Sequence, residues 1–135
     1  MGSIDFPSVP QTLKLFSKVT TGTRFLFTGR CTDKNFSFAL VSATEIAILL
    51  EFGMENEKVI KAKSFYNGNW SKQKLKRNPV RPDNDFFIQI VARKNYFEIF
   101  SGGSFLFTID YSVPIEMISG IRLMEEMEMY RVEMQ

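Results

Sequence analysis

The chain has 135 residues, of which 44% are hydrophobic and 24% are charged, and this composition fits one globular domain and excludes a disordered chain. It contains no histidine, which excludes Ser-His-Asp and Cys-His catalytic sites and zinc sites of the usual nitrogen and sulfur type. We therefore expect no enzyme activity, no metal and no cofactor. The single cysteine, Cys31, excludes an internal disulfide and is predicted to be a small apolar residue in or near a strand.

The N-terminal segment MGSIDFPSVP lacks the basic and apolar regions of a secretory signal peptide. The longest apolar runs, such as residues 46–50, are shorter than the roughly 18 residues that a membrane span needs. These features predict no membrane span. We expect a cytoplasmic protein, or one that is secreted by a route independent of a signal peptide.

Short runs with strand periodicity follow one another along the chain and are separated by turn residues. In chain order, the predicted strands are 12–19, 24–32, 36–42, 45–54, 58–66, 70–78, 85–93, 96–101 and 104–112. The run 45–54 is apolar almost throughout, as expected of a strand that is buried on both faces. The pairs Asn67-Gly68 and Gly102-Gly103 predict hairpin turns.

The C-terminal segment 121–134 fits two patterns. Met124, Met127 and Tyr130 have helical spacing, whereas Ile121 and Leu123 alternate as in a strand, so both interpretations stay open. Short strands at about 8–12-residue spacing predict an all-β antiparallel sandwich or barrel. We expect a single domain over residues 11–135, preceded by an N-terminal extension over residues 1–10.

Cations are concentrated in one part of the chain, around its only tryptophan, Trp70. Residues 58–81 contain no Asp or Glu and carry Lys58, Lys61, Lys63, Lys72, Lys74, Lys76, Arg77 and Arg81. A basic stripe on adjacent strands favours an anionic partner: a sulfated or sialylated glycan, a phospholipid headgroup or nucleic acid. Nucleic acid is the least favoured, because the net charge is only +2 and no RRM, KH or zinc motif is present. A solvated charged face without a partner is the alternative.

The order of these segments resembles the galectin carbohydrate-recognition domain from about residue 11 to residue 134. LKLFSKVTTGTRFLFTGRCT (13–32) is similar to the opening strand pair of galectins, and NFSFAL (35–40) to the strand that follows. DFFIQIVARKNYFEIFSGGSFLFTIDYSVP (85–114) resembles the later strands with their glycine turn and closing proline, and IEMISGIRL (115–123) resembles the tail. The resemblance implies a two-sheet antiparallel jelly-roll sandwich with lectin activity.

The resemblance also implies where sugar-contacting residues should lie, and most of these positions differ here. Trp70 matches the tryptophan on which galectins stack a sugar. The other positions are replaced as follows: Glu51, Gly53, Met54 and Glu55 occupy the H-x-N-P-R motif, Lys63 an Asn position, and Gln73 and Leu75 a Glu and an Arg position. Without the Arg and its carboxylate, the hydroxyl groups of a β-galactoside lose their usual partners.

A different polar set is predicted to replace the lost one. The candidate carbohydrate-binding residues are Trp70, Glu51, Lys61, Lys63, Gln73 and Asn69, and the candidate patch for an anionic partner is Lys72, Lys74, Lys76 and Arg77. Because Lys61 and Lys63 share strand parity, both are predicted to lie on one face, where Glu51 can pair with one of them. The alternative is that these residues form the solvated side of a sheet.

Two functions are predicted. One is a galectin-like lectin with altered specificity, for a sulfated or sialylated glycan. The other is a galectin-fold interaction module that has lost β-galactoside binding and contacts a protein partner or forms a homodimer through edge strands. An intracellular lipid-binding barrel is disfavoured, because TTGTRFLFTGR (20–30) leaves no room for the helical pair that follows its first strand.

Overall fold

The computed structural model describes residues 2–124 and 126–135, which form two antiparallel sheets packed face to face. In chain order the strands are β1 (Gly2–Asp5), β2 (Gln11–Lys14), β3 (Arg24–Cys31), β4 (Phe36–Val41), β5 (Ile46–Phe52), β6 (Val59–Tyr66), β7 (Asn69–Trp70), β8 (Lys74–Arg77), β9 (Asp85–Ala92), β10 (Tyr96–Ser101), β11 (Ser104–Asp110), β12 (Gly120–Leu123) and β13 (Met127–Met134). A short 3₁₀ turn, Ile115–Met117, precedes β12. The all-β antiparallel sandwich is confirmed. Within the described part of the chain, no helix is long and apolar enough to cross a membrane.

Each sheet combines strands that are far apart in the sequence. One sheet has six strands in the order β1-β13-β3-β9-β10-β11. The other has seven strands, in the order β2-β12-β4-β5-β6-β7, with β8 also paired to β6. The sheet faces that meet each other carry the core, and the two outer faces are open to solvent. The term outer face is used below for the solvent-facing side of the seven-stranded sheet.

The core forms because alternate residues of each strand are apolar. In β3, Phe25 and Phe27 are fully buried, whereas Leu26 between them is only partly buried. Phe27 stacks on Phe38 of the facing sheet with ring centroids 4.2 Å apart. Phenylalanine rings bury a large apolar area and stack in offset geometry, so these pairs hold the two sheets together.

Strand β5 is covered on both faces, as the apolar run predicted. Ile48 and Leu50 face the core, while Leu49 packs on the outer face with Ala39 and Val41 of β4. A β-bulge interrupts its pairing with both neighbours, and the hydroxyl of Ser64 donates to the backbone oxygen at the bulge. Because a bulge shifts side-chain parity, Ile46 and Leu49 both reach the outer face.

In four segments the structure departs from the sequence-based expectation or decides between interpretations that were left open. The segment predicted as an N-terminal extension supplies β1, whose residues Gly2–Asp5 pair with β13 at the edge of the six-stranded sheet. The ambiguous segment 121–134 is two strands, one in each sheet. The strand predicted over 70–78 is divided, because the main chain and hydroxyl of Ser71 both bond to Ser64 before the chain rejoins β6 at Lys74. The predicted strand 12–19 ends at Lys14.

Candidate functional site

Trp70 lies on the outer face at the end of a hairpin, and 48% of its surface is exposed. Asn67 and Gly68 both have positive φ, of 54° and 77°, which is the geometry of the two-residue hairpin that the sequence predicts. The hairpin pairs Trp70 with Phe65 of β6. The two rings make an edge contact with centroids 5.1 Å apart, so Phe65 packs beside the indole on the outer face.

Lys63 joins the tryptophan to an acidic residue. It lies two positions before Phe65 on β6 and therefore shares the outer face. Its Nζ is 4.6 Å from the centroid of the Trp70 ring and 3.4 Å from Oε1 of Glu51 on β5. The pairing of Glu51 with one of the two lysines, expected from strand parity, is present in the structure. Trp70, Lys63 and Glu51 thus form one connected group.

Lys61 extends this group towards the edge of the sheet. Its Cα partners are Glu51 on one side and Leu75 of β8 on the other, so the three side chains form a row across β5, β6 and β8. Directly opposite residues in an antiparallel pair have Cβ atoms about 5 Å apart. The row therefore places an anion, a cation and an apolar side chain next to one another, and Leu75 is 55% exposed.

An open groove of about 680 Å³ begins at this row and runs towards the β5–β6 loop. Glu51 and Lys61 line its near end, and Glu55, Glu57 and Glu126 line the rest of it together with Ser37, Met124 and backbone of the loop. The position where the galectin pattern has an arginine is Glu55, and it lies in this groove. The groove is therefore mainly acidic away from Lys61.

The β5–β6 loop is held tightly, which explains the glycine at position 53. A Cβ atom on Gly53 would lie 2.1 Å from the backbone oxygen of Glu57, so no side chain fits there. The side-chain oxygen of Asn35 accepts from the backbone N–H groups of Met54 and Glu55, and the amide of Asn78 donates to the backbone oxygen of Gly53. The loss of an asparagine at this position follows from the close approach of the backbone.

The other two carbohydrate-binding candidates lie apart from this group. Gln73 follows the short strand β7 and lines a separate depression with Lys72 and Asp110, between β8 and the edge strand β11. Asn69 pairs with Tyr66, and its side-chain amide donates to the backbone oxygen of Asn67 within the hairpin. The structure thus brings together four of the six candidates.

The candidate patch for an anionic partner is divided by the alternation of β8. Lys74 and Lys76 pair with the inward-facing Ala62 and Ile60 of β6, so they lie on the side of the edge strand that faces the other sheet. The Nζ of Lys74 donates to the backbone oxygen of Thr108 on β11, at 2.6 Å. Arg77 shares the outer face with Leu75. The cations that were predicted to form one stripe therefore lie on two different surfaces.

A smaller groove of about 270 Å³ lies on the other side of Trp70 and contains a cation that the sequence reasoning missed. Ile46 and Phe65 line it beside Trp70, and Arg122 of β12 reaches into it. The Cα partner of Arg122 is Ala39, whose short side chain leaves room above β4. Strand alternation of Ile121 and Leu123 would place Arg122 on the opposite face, but it does not indicate that β12 pairs with β4.

Cys31 is buried in β3 and takes no part in this site. Its Sγ donates to the backbone oxygen of Arg81, at 3.0 Å. Burial raises the pKa of the Cys31 thiol, which disfavours the thiolate that a nucleophile or metal ligand requires. The described residues contain no group of three or more acidic, cysteine or histidine residues that could hold a metal ion.

Comparison with known proteins agrees with this arrangement. The family model of galactoside-binding lectins matches residues 10–134. The chain belongs to the galectin family. The galectin is similar to two proteins of Caenorhabditis elegans, probable galaptin lec-8 (25% identical over 126 residues, 91% of this chain and 70% of the relative) and probable galaptin lec-7 (24% identical over 121 residues, 87% and 68%). Galectins are lectins rather than enzymes.

Solved structures confirm the jelly-roll sandwich of this galectin. The crystal structure of Caenorhabditis elegans galectin LEC-6 has a TM-score of 0.92 at 16% identity, with 98% of this chain and 95% of that chain covered. A variant of human galectin-16 has a TM-score of 0.87 at 16% identity, with 98% and 99% covered. The family resemblance stated from the sequence is confirmed over nearly the whole chain.

Proposed function

We propose that this galectin binds glycans on the outer face around Trp70, and that it prefers glycans carrying a carboxylate or a sulfate to neutral β-galactosides. The observation that carries the proposal is the position of the Lys63 ammonium, 4.6 Å above the indole and 3.4 Å from Glu51. A cation thus occupies the surface on which a sugar would stack.

The indole provides the contact area for a sugar ring. Trp70 is half exposed, and its contact with Phe65 fixes the orientation of the ring. An exposed, oriented aromatic ring binds the apolar face of a sugar with little loss of conformational entropy. This part of the galectin binding mode is retained in the chain.

Lys63 discriminates between neutral and acidic ligands. A neutral sugar that stacks on Trp70 displaces the ammonium without offering it a new charged partner. An acidic substituent can take the place of Glu51 and hold the ammonium at the edge of the ring. The exchange is energetically easy, because the side chains of Lys63 and Glu51 are 24% and 43% exposed and such surface pairs contribute only about 0–1 kcal/mol.

Lys61 and the released carboxylate complete the polar contacts. Lys61 is the direct cross-strand neighbour of Glu51 and forms no ion pair among the described residues. It offers a second ammonium to the acidic group, and Glu51 can then accept hydrogen bonds from sugar hydroxyl groups. The set differs from the Arg and Glu pair of the galectin pattern, which reads an uncharged galactoside.

The test compares lactose with its sialylated and sulfated forms by isothermal titration calorimetry. We expect the acidic forms to bind about tenfold or more tightly than lactose, because charge-assisted hydrogen bonds contribute ~1.5–3 kcal/mol. The preference should weaken as salt is raised from 0.05 to about 0.5 M, since exposed charges are screened. Equal or tighter binding of lactose, or no binding of any glycan, would refute the proposal. Trp70→Ala serves as the negative control.

A second candidate function is self-association through an edge strand. Strand β11 is seven residues long and pairs on one side only, with β10, and Phe105 at its start is 56% exposed. Unpaired backbone groups on such an edge are a template for another chain. Sedimentation velocity from 1 to 100 µM should then reveal a dimer that Phe105→Lys abolishes, whereas a monomer at all concentrations would exclude this function.

A further inference from the structure

Leu75 is an unusual side chain for the position it holds. It lies on the outer face, opposite Lys61 and on the same face as Trp70, yet it is 55% exposed and more exposed than the indole. The neighbouring outward residue on β8 is Arg77. A single exposed leucine is ordinary on a protein surface, but here it forms part of the row that includes the proposed sugar-binding charges.

We propose that Leu75 determines specificity for an acidic sugar that also carries an N-acetyl group, with the acetyl methyl packed against Leu75. This inference rests on the proposed function and names the class of glycan that the same site takes. Once the C–H face of the ring is stacked on Trp70, a sugar whose other substituents are hydroxyl groups has no apolar substituent to place on a leucine. An N-acetyl group presents a methyl group at the end of a short polar linker.

The geometry of the row allows one sugar residue to meet both requirements. Neighbouring strands are about 4.8 Å apart, so the side chains of Lys61 and Leu75 leave the sheet from adjacent positions whose spacing is similar to the width of a pyranose ring. Lys63 approaches the same ligand from the side of the indole. The acidic group is therefore directed towards β6, and the acetyl group towards β8 at the sheet edge.

Two kinds of sugar have this chemistry. A sialic acid carries a carboxylate and an acetamido group on the same ring, and a sulfated N-acetylhexosamine carries a sulfate ester and an acetamido group. Both present one anionic and one methyl-bearing substituent. Lys61, Lys63 and Leu75 are the proposed contacts for these shared groups. The experiment below distinguishes the two kinds of sugar.

The experiment uses ligand pairs that differ in the acetyl group alone or nearly so. One pair is sialyllactose with N-acetyl or with N-glycolyl sialic acid, in which the glycolyl group adds a hydroxyl to the methyl. The other pair is a 6-sulfated N-acetylhexosamine and the corresponding 6-sulfated hexose. We expect the N-acetyl member of at least one pair to bind about fourfold more tightly, as burial of one methyl-sized apolar group implies.

Substitution of Leu75 should remove this preference. In Leu75→Ser the affinity ratio within the preferred pair should fall to about one, and in Leu75→Met it should stay near the wild-type ratio, because the apolar contact is retained. Met117→Ser removes an apolar side chain of similar exposure (47%) from the 3₁₀ turn and serves as the matched control with an unchanged ratio. Thermal unfolding of each variant confirms that it is folded.

The outcomes separate this inference from the proposed function. A wild-type ratio of one in both pairs, or a ratio that persists in Leu75→Ser, would overturn the role of Leu75 while the preference for acidic over neutral glycans stands. Failure of wild-type protein to bind any acidic glycan would overturn the proposed function, and the inference with it.

Discussion

We expect Lys63→Gln to weaken the binding of acidic glycans without weakening the binding of neutral ones. The substitution keeps a polar side chain of similar length but removes the charge that lies over the Trp70 ring and next to Glu51. An acidic glycan then loses its charge-assisted contact, which contributes ~1.5–3 kcal/mol and corresponds to about a 10- to 100-fold loss of affinity. A neutral galactoside should bind equally well or a few-fold better, because no ammonium has to be displaced from the indole.

The effect of Lys63→Gln on stability should be small. The ion pair with Glu51 is partly exposed and contributes ~0.2–1 kcal/mol, and the cation–π contact adds ~0.5–1 kcal/mol. We therefore expect the free energy of unfolding, measured by urea denaturation, to fall by about 1 kcal/mol. A loss of this size leaves the protein folded, so a change in glycan affinity can be attributed to the binding site.

Calorimetric titration of both variants with lactose and sialyllactose measures the two effects. Lys94→Gln is the matched control, since Lys94 is an exposed lysine in the turn between β9 and β10 of the other sheet. It should leave both affinities unchanged. A parallel loss of affinity for both ligands in Lys63→Gln, or no change for sialyllactose, would refute the role assigned to Lys63.

Three further predictions concern the scaffold. Gly53→Ala should destabilise the protein by about 2 kcal/mol or more, because its Cβ would meet the Glu57 backbone oxygen at 2.1 Å; a loss below 0.5 kcal/mol in urea denaturation would contradict this. Phe38→Ala should lower the free energy of unfolding by about 3–5 kcal/mol, since the ring is fully buried and stacked between the sheets; a loss below 1 kcal/mol would show that the core does not depend on it. Burial raises the pKa of Tyr111 to about 12, so its stabilising contribution is complete below its ordinary pKa of 10.0 and is lost as the pH rises through 12. Wild-type stability should therefore fall relative to Tyr111→Phe between pH 10 and pH 12, and a constant difference would exclude this titration.

The fold was accessible from the sequence because its determinants are local. Alternation of apolar residues in β3 and β9 and the Asn67-Gly68 hairpin signal each predict their own element. The apolar run 45–54 also indicated that β5 is covered on both faces. The resemblance to galectins then implied the two-sheet jelly-roll arrangement, which local patterns do not specify.

The arrangement of the site depended on pairing between distant strands. Lys72, Lys74 and Lys76 visibly alternate in the sequence, but the pairing of Leu75 with Lys61 decides which parity faces outward. A shift of one residue would exchange the two faces. The location of Arg122 beside the tryptophan was hidden for the same reason, because it follows from the pairing of β12 with β4.

The segment 1–10 gave no sequence signal of its own. Strand β1 has four residues, and it forms because β13 offers an unpaired edge over Arg131–Met134. Its existence therefore depends on a partner near the other end of the chain, and no analysis of the first ten residues alone could reveal it.

The affinity of the wild-type protein for sialylated or sulfated lactose, divided by its affinity for lactose, tests the central claim most directly. Both affinities are measured by calorimetry in the same buffer at 0.05 M salt, where exposed charges are screened least. The position of Lys63 over Trp70 predicts a ratio of about ten or more for at least one acidic form. A ratio of one or less for both acidic forms would contradict the claim that the tryptophan site of this galectin selects acidic glycans.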